Sequence, residues 1–288
     1  MRIIIIGSKG QLGTALLETL PKTHKLIGLD ILDDNQTGHI EVENAPQVLS
    51  VLKKLNPDVV INTAAFHVTD QCEKDPDNSF KINALGARNV AIACQEMNAK
   101  VVFISTDYVF DGEKKQPYTE YDPPNPLSVY GKSKLAGEKY VKTVCQKYFI
   151  IRTAGIFGGE KNNFIKTMVR LGKERDKLNI VYDQIHSPTY SYDLAIKIGE
   201  LIETSLYGLY HISNNGETSW FDYAKKIFKL TGLDEKVEVS KITAEEYGAP
   251  APRPAYSVLR NYNLELQGMN DLPSWEDAVE RYIKKEFL

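Results

Sequence analysis

Tyr130 and Lys134 are the two residues whose types and spacing most clearly allow chemistry. Side chains four residues apart lie on the same face of a helix, so the phenol and the ammonium would be neighbours there. A phenol has a pKa near ~10 and is a weak acid–base group at neutral pH, but a nearby positive charge favours the phenolate and lowers that pKa. The pair therefore predicts a group that exchanges a proton with an oxygen atom of a substrate.

A hydroxyl group at the end of a strand is the third candidate. The segment from Lys100 to Ser105 is typical of a strand, and Thr106 follows it directly. Ligands of open α/β sheets bind at the edge formed by the carboxyl ends of the strands. Thr106 can there donate a hydrogen bond to a carbonyl oxygen while Tyr130 protonates it. The alternative for Thr106 is a local hydrogen bond within a turn.

A glycine-rich loop near the start of the chain is suited to a dinucleotide. It follows the β-branched run from Ile3 to Ile6 and precedes a helical stretch from Thr14 to Leu20. Glycines at this place permit a tight turn and let backbone N–H groups approach a pyrophosphate at the helix N-terminus. The alternative is an ordinary glycine-rich turn. The residues expected to bind the cofactor here are Gly7, Gly10, Gln11, Leu12 and Gly13.

The ends of two further strands indicate the kind of cofactor. Asp30 ends the second predicted strand, and its carboxylate can accept a hydrogen bond from the adenosine ribose 2′-hydroxyl, which favours NADH. Lys9 can offset the repulsion of a 2′-phosphate, so NADPH is also expected to bind. Thr63, Ala64 and Ala65 are small enough to let a dinucleotide cross the sheet edge. The alternatives are a solvated strand end for Asp30 and simple tight packing for the small residues.

The alternation of strands and helices predicts how these residues come together. After the glycine loop, strands are expected at 25–30, 58–62, 100–105 and 148–152, and helices at 48–55, 79–97 and 126–144. This βαβα order predicts an α/β fold of the Rossmann type, with a doubly wound parallel sheet. The carboxyl edge of that sheet would bring the glycine loop, Thr106 and Tyr130 together.

Beyond Arg152 the pattern becomes less regular, and a loop rich in Ala and Pro is expected from Glu246 to Pro254. Helices are expected at 163–173, 190–203 with Ser191 as a cap, 219–231 and 275–287, and short strands at 180–183 and 209–212. We therefore expect a smaller, irregular C-terminal substrate-binding lobe. The predicted boundaries are 1–152 for the dinucleotide-binding domain, joined by 190–214, and 153–189 with 215–288 for the substrate-binding lobe.

The composition excludes several classes of protein. Lys plus Arg number 35 and Asp plus Glu 38, so the basic excess of a dedicated nucleic-acid binder is missing. The cysteines Cys72, Cys94 and Cys145 fit no zinc-site spacing, so we expect reduced thiols and no metal site. No apolar stretch approaches the ~20 residues of a membrane-spanning helix, and no secretory leader is recognisable. We therefore expect a cytoplasmic protein without membrane partners.

These motifs resemble those of the extended short-chain dehydrogenases, in the NAD-dependent epimerase/dehydratase superfamily, and most closely those of the dTDP-4-dehydrorhamnose reductase family. The resemblance covers essentially the whole chain. It rests on the glycine loop, on Ser105 to Gly112 (STDYVFDG) and on the segment from Tyr130 to Glu138. Later motifs are Asp183-Gln184 with Pro188-Thr189, Arg253-Pro254-Ala255-Tyr256-Ser257 with Leu259, and Leu272-Pro273 with Trp275.

The resemblance implies a reaction and roles for individual residues. Hydride from NADPH or NADH would reach C4 of a dTDP-linked 4-keto-6-deoxyhexose, and the product would be dTDP-L-rhamnose. Tyr130 would protonate the new hydroxyl and Lys134 would hold the nicotinamide ribose, so both residues also bind the cofactor. Thr106 would bind the keto oxygen, and Asp107 and Tyr108 would contact the sugar.

Two further residues and one departure from the family concern the substrate pocket. Arg253 can bind the diphosphate through its forked guanidinium, or else form a structural salt bridge. Gln184 can orient the sugar or the loop. The resembled family often has a Trp where this chain has Gly155. We expect Phe157 or Tyr108 to fill the space, or else the enzyme to accept a differently substituted hexose.

Two other functions stay open at this point. One is a non-catalytic, nucleotide-binding regulatory subunit that keeps the same fold. The other is a sugar-nucleotide epimerase or dehydratase, which would retain its cofactor through the cycle. The presence of Thr106, Tyr130 and Lys134 favours a catalytic protein. Association of two copies into a homodimer is left open as well.

Overall fold

The computed structural model describes residues 1–32 and 38–288, and within them the chain forms thirteen strands and twelve α-helices. The strands are β1 Arg2–Ile6, β2 Lys25–Asp30, β3 Gly38–His39, β4 Val59–Asn62, β5 Lys100–Thr106, β6 Tyr148–Thr153, β7 Ile156–Phe157, β8 Lys177–Val181, β9 Ile185–His186, β10 Thr189–Tyr190, β11 Gly208–His211, β12 Thr218–Ser219 and β13 Glu238–Ile242. The helices are α1 Gln11–Thr19, α2 Ala45–Leu55, α3 Thr69–Lys74, α4 Pro76–Phe80, α5 Ala87–Glu96, α6 Val129–Val144, α7 Phe164–Glu174, α8 Ser191–Ile202, α9 Trp220–Thr231, α10 Ala244–Tyr247, α11 Tyr262–Leu266 and α12 Trp275–Phe287. None of these helices has both the length and the apolar character needed to cross a membrane.

Seven strands form one parallel sheet, in the order β11-β6-β5-β4-β1-β2-β3. β1 lies between β4 and β2, with Ile3 paired to Val59 on one side and to Leu26 on the other. The chain therefore winds outward from β1 in both directions, and the doubly wound parallel sheet predicted from the sequence is confirmed. In such sheets the crevice for ligands opens where the strand order reverses, which here is between β1 and β4.

Apolar residues cover both faces of this sheet, as the continuous β-branched run of β1 requires. Ile3 to Ile6 are at most 1% exposed. One face packs against α1 and α8 through Leu16 and Ile198, and the other packs against α2 and α5 through Val48 and Val90. Because both faces are covered, the carboxyl edge of the sheet is the side left to form a binding crevice.

A second apolar core lies outside the main sheet. It is formed by α7, α9 and α12 around Phe157, Phe228 and Tyr282, each of which is at most 1% exposed. Three two-stranded ladders border it, namely β7 with β10, β9 with β12 and β8 with β13. Two elements from this half of the chain return to the main sheet, because β11 pairs with β6 and α8 packs on α1.

Two helices of the N-terminal half have different bounds from those predicted from the sequence. The long helix expected at 79–97 is interrupted by a π-helical turn at Lys81–Gly86. The helix expected from Pro126 begins at Val129 instead. Ser128 ends the preceding extended segment, and its hydroxyl caps the helix by accepting a backbone hydrogen bond of 3.1 Å.

Two boundaries in the C-terminal half are also shifted. Ser191, expected to cap α8, is its first residue, and no side chain caps that helix. The loop expected from Glu246 to Pro254 begins inside α10, because a capping box between Thr243 and Glu246 starts a short helix there. Side-chain to backbone hydrogen bonds thus decide where α10 begins, whereas α8 begins without one.

Candidate active site

The glycine loop forms a cradle between β1 and α1 at the carboxyl edge of the sheet. Gly7 has a φ of +80°, and a Cβ atom there would lie 2.5 Å from Thr63 Oγ1. A Cβ atom on Gly13 would lie 2.2 Å from the carbonyl oxygen of Gly7. Both positions therefore exclude a side chain, and the turn is as tight as a backbone that must approach a pyrophosphate requires. On this ground the loop fits a dinucleotide.

A cavity of about 480 Å³ lies beside this loop and is called the cofactor cavity below. Of the residues expected to bind the cofactor, it is lined by Gly7, Gly10, Gln11, Asp30, Thr63, Ala64 and Ala65. Leu12 lines the neighbouring cavity that contains Tyr130, and Gly13 is buried behind the loop. The fold therefore brings together residues from β1, β2 and β4 that lie far apart in the sequence.

Asp30 is held by the backbone at the edge of the cofactor cavity. Its Oδ2 accepts a hydrogen bond from Lys9 N (2.9 Å), and its Oδ1 accepts one from Leu32 N (3.1 Å). The side chain is nearly buried, but each carboxylate oxygen has a second lone pair with which it can accept from a ribose hydroxyl. Asp30 thus anchors the glycine loop in addition to facing the cavity.

Replacing Asp30 with alanine should raise the ratio of kcat/KM for NADPH to that for NADH. A charge that repels a 2′-phosphate and an acceptor for a 2′-hydroxyl are both lost. Steady-state kinetics with the two cofactors measure the ratio. Asp30→Asn is the matched variant, because it removes the charge, keeps an acceptor oxygen and should shift the ratio less. If neither variant changes the ratio of the two kcat/KM values, Asp30 anchors the glycine loop but does not contact the ribose.

Thr106, Tyr130 and Lys134 line one cavity of about 340 Å³, called the catalytic cavity, which shares glycine-loop residues with the cofactor cavity. Thr106 ends β5, and the other two lie one turn apart at the start of α6. Thr106 Oγ1 accepts a hydrogen bond from Tyr108 N (3.2 Å) and donates one to Asp107 Oδ1 (3.0 Å). The local turn hydrogen bond considered above is therefore present, and it leaves the hydroxyl at the cavity wall.

Burial governs the charges of Tyr130 and Lys134. It raises the pKa of Tyr130 well above its usual value, and the Thr106 hydroxyl opposes that shift. It lowers the pKa of Lys134 to about 7, and the Glu138 carboxylate opposes that shift. The lysine Nζ lies 4.2 Å from the centre of the Phe103 ring. The expected lowering of the Tyr130 pKa by Lys134 is not seen, and Tyr130 keeps its proton at neutral pH, as a proton donor must.

Asp107 and Tyr108 complete this side of the catalytic cavity. Burial raises the pKa of Asp107 to about 6, against hydrogen bonds that include one from Ser257 Oγ (2.6 Å). Tyr108 packs edge-on against Tyr130, with 6.0 Å between the ring centres. Ser257 is thus a site residue that the sequence analysis included only within a motif. Asp107 can accept a hydrogen bond when ionised and donate one when protonated.

The space beside Gly155 is filled by His186 rather than by the two residues that we expected. Phe157 stacks on Tyr190 in the second core and does not reach the catalytic cavity. The His186 ring lies against Gly155 and stacks on Trp220, with ring centres 3.9 Å apart. Both rings line the catalytic cavity. No sequence signal pointed to them, because β9 and α9 meet Gly155 only in the folded chain.

A buried ion pair behind the site was also missed by the sequence analysis. Arg152 Nη2 lies 2.7 Å from Glu138 Oε2, and Arg152 Nε donates to Glu138 Oε1 at 2.9 Å. The Ser105 hydroxyl donates to the same carboxylate. The pair thus ties α6, which carries Tyr130, to β5 and β6. An arginine ending an otherwise apolar strand is the signal that could have found it.

The π-helical turn contributes a second buried network. Asn83 Nδ2 donates to Phe66 O (2.9 Å) and to Ser133 Oγ (3.0 Å), and its Oδ1 accepts from Phe66 N (2.9 Å). Ser133 Oγ in turn donates to Tyr130 O (2.8 Å). These bonds hold the first turn of α6 in place. A buried asparagine within an apolar helical stretch is the signal that sequence reasoning could have used.

Arg253 and Gln184 lie at a third cavity of about 660 Å³, called the outer cavity. Gln184 and Trp220 line both the outer and the catalytic cavities, so the two cavities lie next to each other. Arg253 Nη2 donates to Asp70 Oδ1 (3.0 Å) and its Nη1 donates to Ala251 O (3.0 Å). The salt bridge considered as an alternative for Arg253 therefore exists, and Arg253 also lines the outer cavity.

Cys72, Cys94 and Cys145 are free and buried. Within residues 1–32 and 38–288, no group of three or more His, Cys, Asp or Glu side chains is arranged to hold a metal ion.

Comparison with known proteins decides the family. A family model described as the RmlD substrate binding domain matches residues 1–287. The dTDP-4-dehydrorhamnose reductase of Salmonella typhimurium is 37% identical over 296 residues, which cover 100% of this chain and 98% of the relative. The chain belongs to the dTDP-4-dehydrorhamnose reductase family. The spore coat polysaccharide biosynthesis protein SpsK of Bacillus subtilis is also similar. It is 37% identical to this chain over 99% of this chain and 97% of the SpsK chain.

Solved structures agree with this family assignment. A dTDP-4-dehydrorhamnose reductase from Clostridium acetobutylicum has a TM-score of 0.95 and 44% identity, with both chains covered completely. One from Bacillus anthracis, in complex with NADP, has a TM-score of 0.93 and 46% identity over 99% of each chain. The UDP-glucose 4-epimerase of Thermus thermophilus, in complex with NAD, has a TM-score of 0.84 at 19% identity, which shows a shared fold alone. The resemblance inferred from the motifs is confirmed.

Proposed function

We propose that the chain catalyses the NAD(P)H-dependent reduction of dTDP-4-dehydro-6-deoxy-L-mannose (dTDP-4-dehydrorhamnose) at C4, giving dTDP-L-rhamnose. The observation that carries this proposal is the presence of Thr106, Tyr130 and Lys134 with glycine-loop residues at one cavity. Full-length relatives named as dTDP-4-dehydrorhamnose reductases, at 37% and 44% identity, support the identity of the substrate.

The cofactor and catalytic cavities suit a nicotinamide dinucleotide, which when bound supplies the hydride that reaches C4. The glycine loop would hold the pyrophosphate, and Asp30 would accept from the adenosine ribose. Lys134 is buried, and its ammonium has no hydrogen-bond partner among the described residues. It would therefore bind a hydroxyl of the nicotinamide ribose, which offsets the unfavourable burial of its charge.

Tyr130 would donate the proton to the C4 oxygen. Its raised pKa keeps the phenol protonated until a charge develops on that oxygen. The phenolate left behind would be stabilised by the Lys134 ammonium. Such a positioned acid typically contributes ~10²–10⁴-fold in rate. Thr106 would also hold the keto oxygen toward Tyr130, which orients C4 for hydride transfer.

The outer cavity would hold the dTDP portion of the substrate. Its aromatic lining includes Phe164, Trp220 and Tyr247, and such rings can cover a nucleoside base. The Arg253 guanidinium beside Tyr108 opposes the rise in that tyrosine's pKa caused by burial, so its charge also acts at the wall of the catalytic cavity. A diphosphate lying between the base and the sugar would meet this charge.

Replacing Arg253 with lysine should raise the KM for the sugar nucleotide by about tenfold, because one ammonium cannot reproduce a forked, charge-assisted contact. The Kd for NADPH should hardly change. Initial-rate kinetics and cofactor binding by fluorescence titration measure the two effects. Arg260→Lys is the matched control, since Arg260 pairs with Glu265 and lines none of the three cavities. Equal losses for both ligands would mean that Arg253 acts only through its pair with Asp70.

The proposal also assigns the two binding functions to different parts of the chain. Residues 1–152 with 190–214 would form the dinucleotide-binding domain, and 153–189 with 215–288 the substrate-binding lobe. In support, the described residues that line the outer cavity all lie between 164 and 253, and most of those that line the cofactor cavity lie between 6 and 82. A homodimer stays a prediction, which light scattering of the purified chain would test.

The direct test supplies the 4-keto sugar nucleotide with NADPH or NADH and identifies the product by NMR. We expect dTDP-L-rhamnose, with one equivalent of cofactor oxidised for each product formed. An epimerised 4-keto sugar without net oxidation would indicate an epimerase instead. If the folded protein forms no product and oxidises no cofactor, it is the non-catalytic subunit. Either of these two results would overturn the proposal.

A further inference from the structure

The Thr106 hydroxyl has one direction left in which it can meet a ligand. A threonine hydroxyl has one proton and two lone pairs, so it forms at most three hydrogen bonds. One lone pair accepts from Tyr108 N (3.2 Å), and the proton is donated to Asp107 Oδ1 (3.0 Å). The third direction then carries a lone pair, and a keto oxygen has no proton to donate to it. Thr106 therefore cannot donate to a ketone while its proton is bound to Asp107.

Two hydroxyl groups hold the two oxygens of the Asp107 carboxyl group. Ser257 Oγ donates to Oδ2 (2.6 Å), and Thr106 lies at Oδ1. All three residues line the catalytic cavity and are at most 5% exposed. The backbone of Ser257 is fixed as well, because its N donates to Ile185 O (2.8 Å). Since Ser257 occupies Oδ2, Oδ1 is the oxygen at which a bound proton would meet Thr106.

Asp107 gains and loses its proton at a pH that kinetic measurements reach. Burial raises its pKa to about 6, and the hydrogen bonds from Ser257 and Thr106 oppose the rise. The Asp107 charge acts in turn on Tyr108, on the same turn, and on Tyr130, on α6. The other ionisable side chains that act on these tyrosines or line the same cavity are His67, Asp70, Cys72, Lys134, His186 and Arg253.

We propose that Asp107 and Ser257 are positioning residues that control the direction in which the Thr106 hydroxyl donates. When Asp107 is protonated, its Oδ1–H donates to Thr106 Oγ1, and the Thr106 proton turns to the keto oxygen. When Asp107 is ionised, it takes the Thr106 proton, and Tyr130 alone serves the keto oxygen. Ser257 keeps Oδ2 as an acceptor, so the proton of the carboxyl group lies on Oδ1. This inference rests on the proposed function, because it needs a ketone at Thr106 and Tyr130.

The test compares the pH profile of kcat for the 4-keto sugar in the wild type and in Asp107→Asn. Asparagine has nearly the same shape and always carries N–H donors, so it mimics the protonated carboxyl group. Wild-type kcat should fall about tenfold as the pH rises through the Asp107 midpoint and then level off, as expected for one lost hydrogen bond. Asp107→Asn should lack this step. Lys134, whose pKa is about 7, titrates in both proteins, so the difference between the profiles reports on Asp107.

Two further variants separate the role of Ser257 from a general effect of substitution. Ser257→Ala removes a hydrogen bond that lowers the Asp107 pKa, so the step in kcat should move to higher pH. NMR titration of isotope-labelled aspartate carboxyl groups should show the same upward shift of the Asp107 midpoint without any turnover. Asp111→Asn is the matched control and should keep the wild-type profile, because Asp111 lies in the same motif but lines none of the three cavities.

The outcomes separate this inference from the proposed function. A folded wild type that reduces no ketone at any pH would overturn the proposed function and this inference with it. If the wild type reduces the ketone but shows no step, or if Asp107→Asn keeps the step or is folded and inactive, only the inference is wrong. If Ser257→Ala leaves both the step and the NMR midpoint unchanged, Ser257 does not position Asp107.

Discussion

Replacing Tyr130 with phenylalanine should lower kcat for the 4-keto sugar by ~10²–10⁴-fold, with a smaller effect on KM, because the proton donor is lost but the ring volume is kept. The hydroxyl lies in the catalytic cavity with Thr106. Its removal leaves no buried charge unpaired, so the melting temperature should change little. Single-turnover kinetics with saturating cofactor would measure the chemical step directly.

Tyr140→Phe provides the matched control for this experiment. Tyr140 lies on the same helix, α6, but its side chain is exposed and lines none of the three cavities. The control should keep wild-type kcat and the same helix content. A folded Tyr130→Phe variant with wild-type turnover would show that another group delivers the proton.

Replacing Glu138 with glutamine should lower the free energy of unfolding by about 3–5 kcal/mol, since it leaves the Arg152 guanidinium buried without its counter-charge. Arg152 is 3% exposed and Glu138 is 5% exposed, so water cannot take over the lost interaction. The melting temperature should fall by roughly 10 °C for a chain of this size. Urea denaturation and calorimetry would measure both quantities.

Two further variants test whether charge burial is the cause. Glu96→Gln, the matched control, breaks the exposed pair between Lys53 and Glu96, and it should cost at most ~1 kcal/mol. The double variant Glu138→Leu with Arg152→Met removes both charges and should recover much of the lost stability. A double variant no more stable than Glu138→Gln would mean that the network matters through its shape and its bond to Ser105 instead.

The sequence by itself determined the parts of this protein that depend on local order. The run from Ile3 to Ile6, the glycine loop and the following helix lie within one short segment, so the cradle for a dinucleotide could be predicted. Tyr130 and Lys134 are one helical turn apart, and their shared face follows from helix geometry alone. The alternation of strands and helices likewise predicted the doubly wound sheet, because parallel strands require crossovers.

Only the tertiary structure decided which distant residues share a wall, an ion pair or a network. His186 fills the space beside Gly155 and Arg253 pairs with Asp70, although no local pattern connects the members of either pair. The ion pair between Glu138 and Arg152 likewise follows from no local pattern. Helix and strand periodicities state which face of an element is apolar, but not which side chain of another element will meet it. Contacts between elements depend on packing volumes and on the pairing of buried polar groups. Both are determined only when the whole chain is folded.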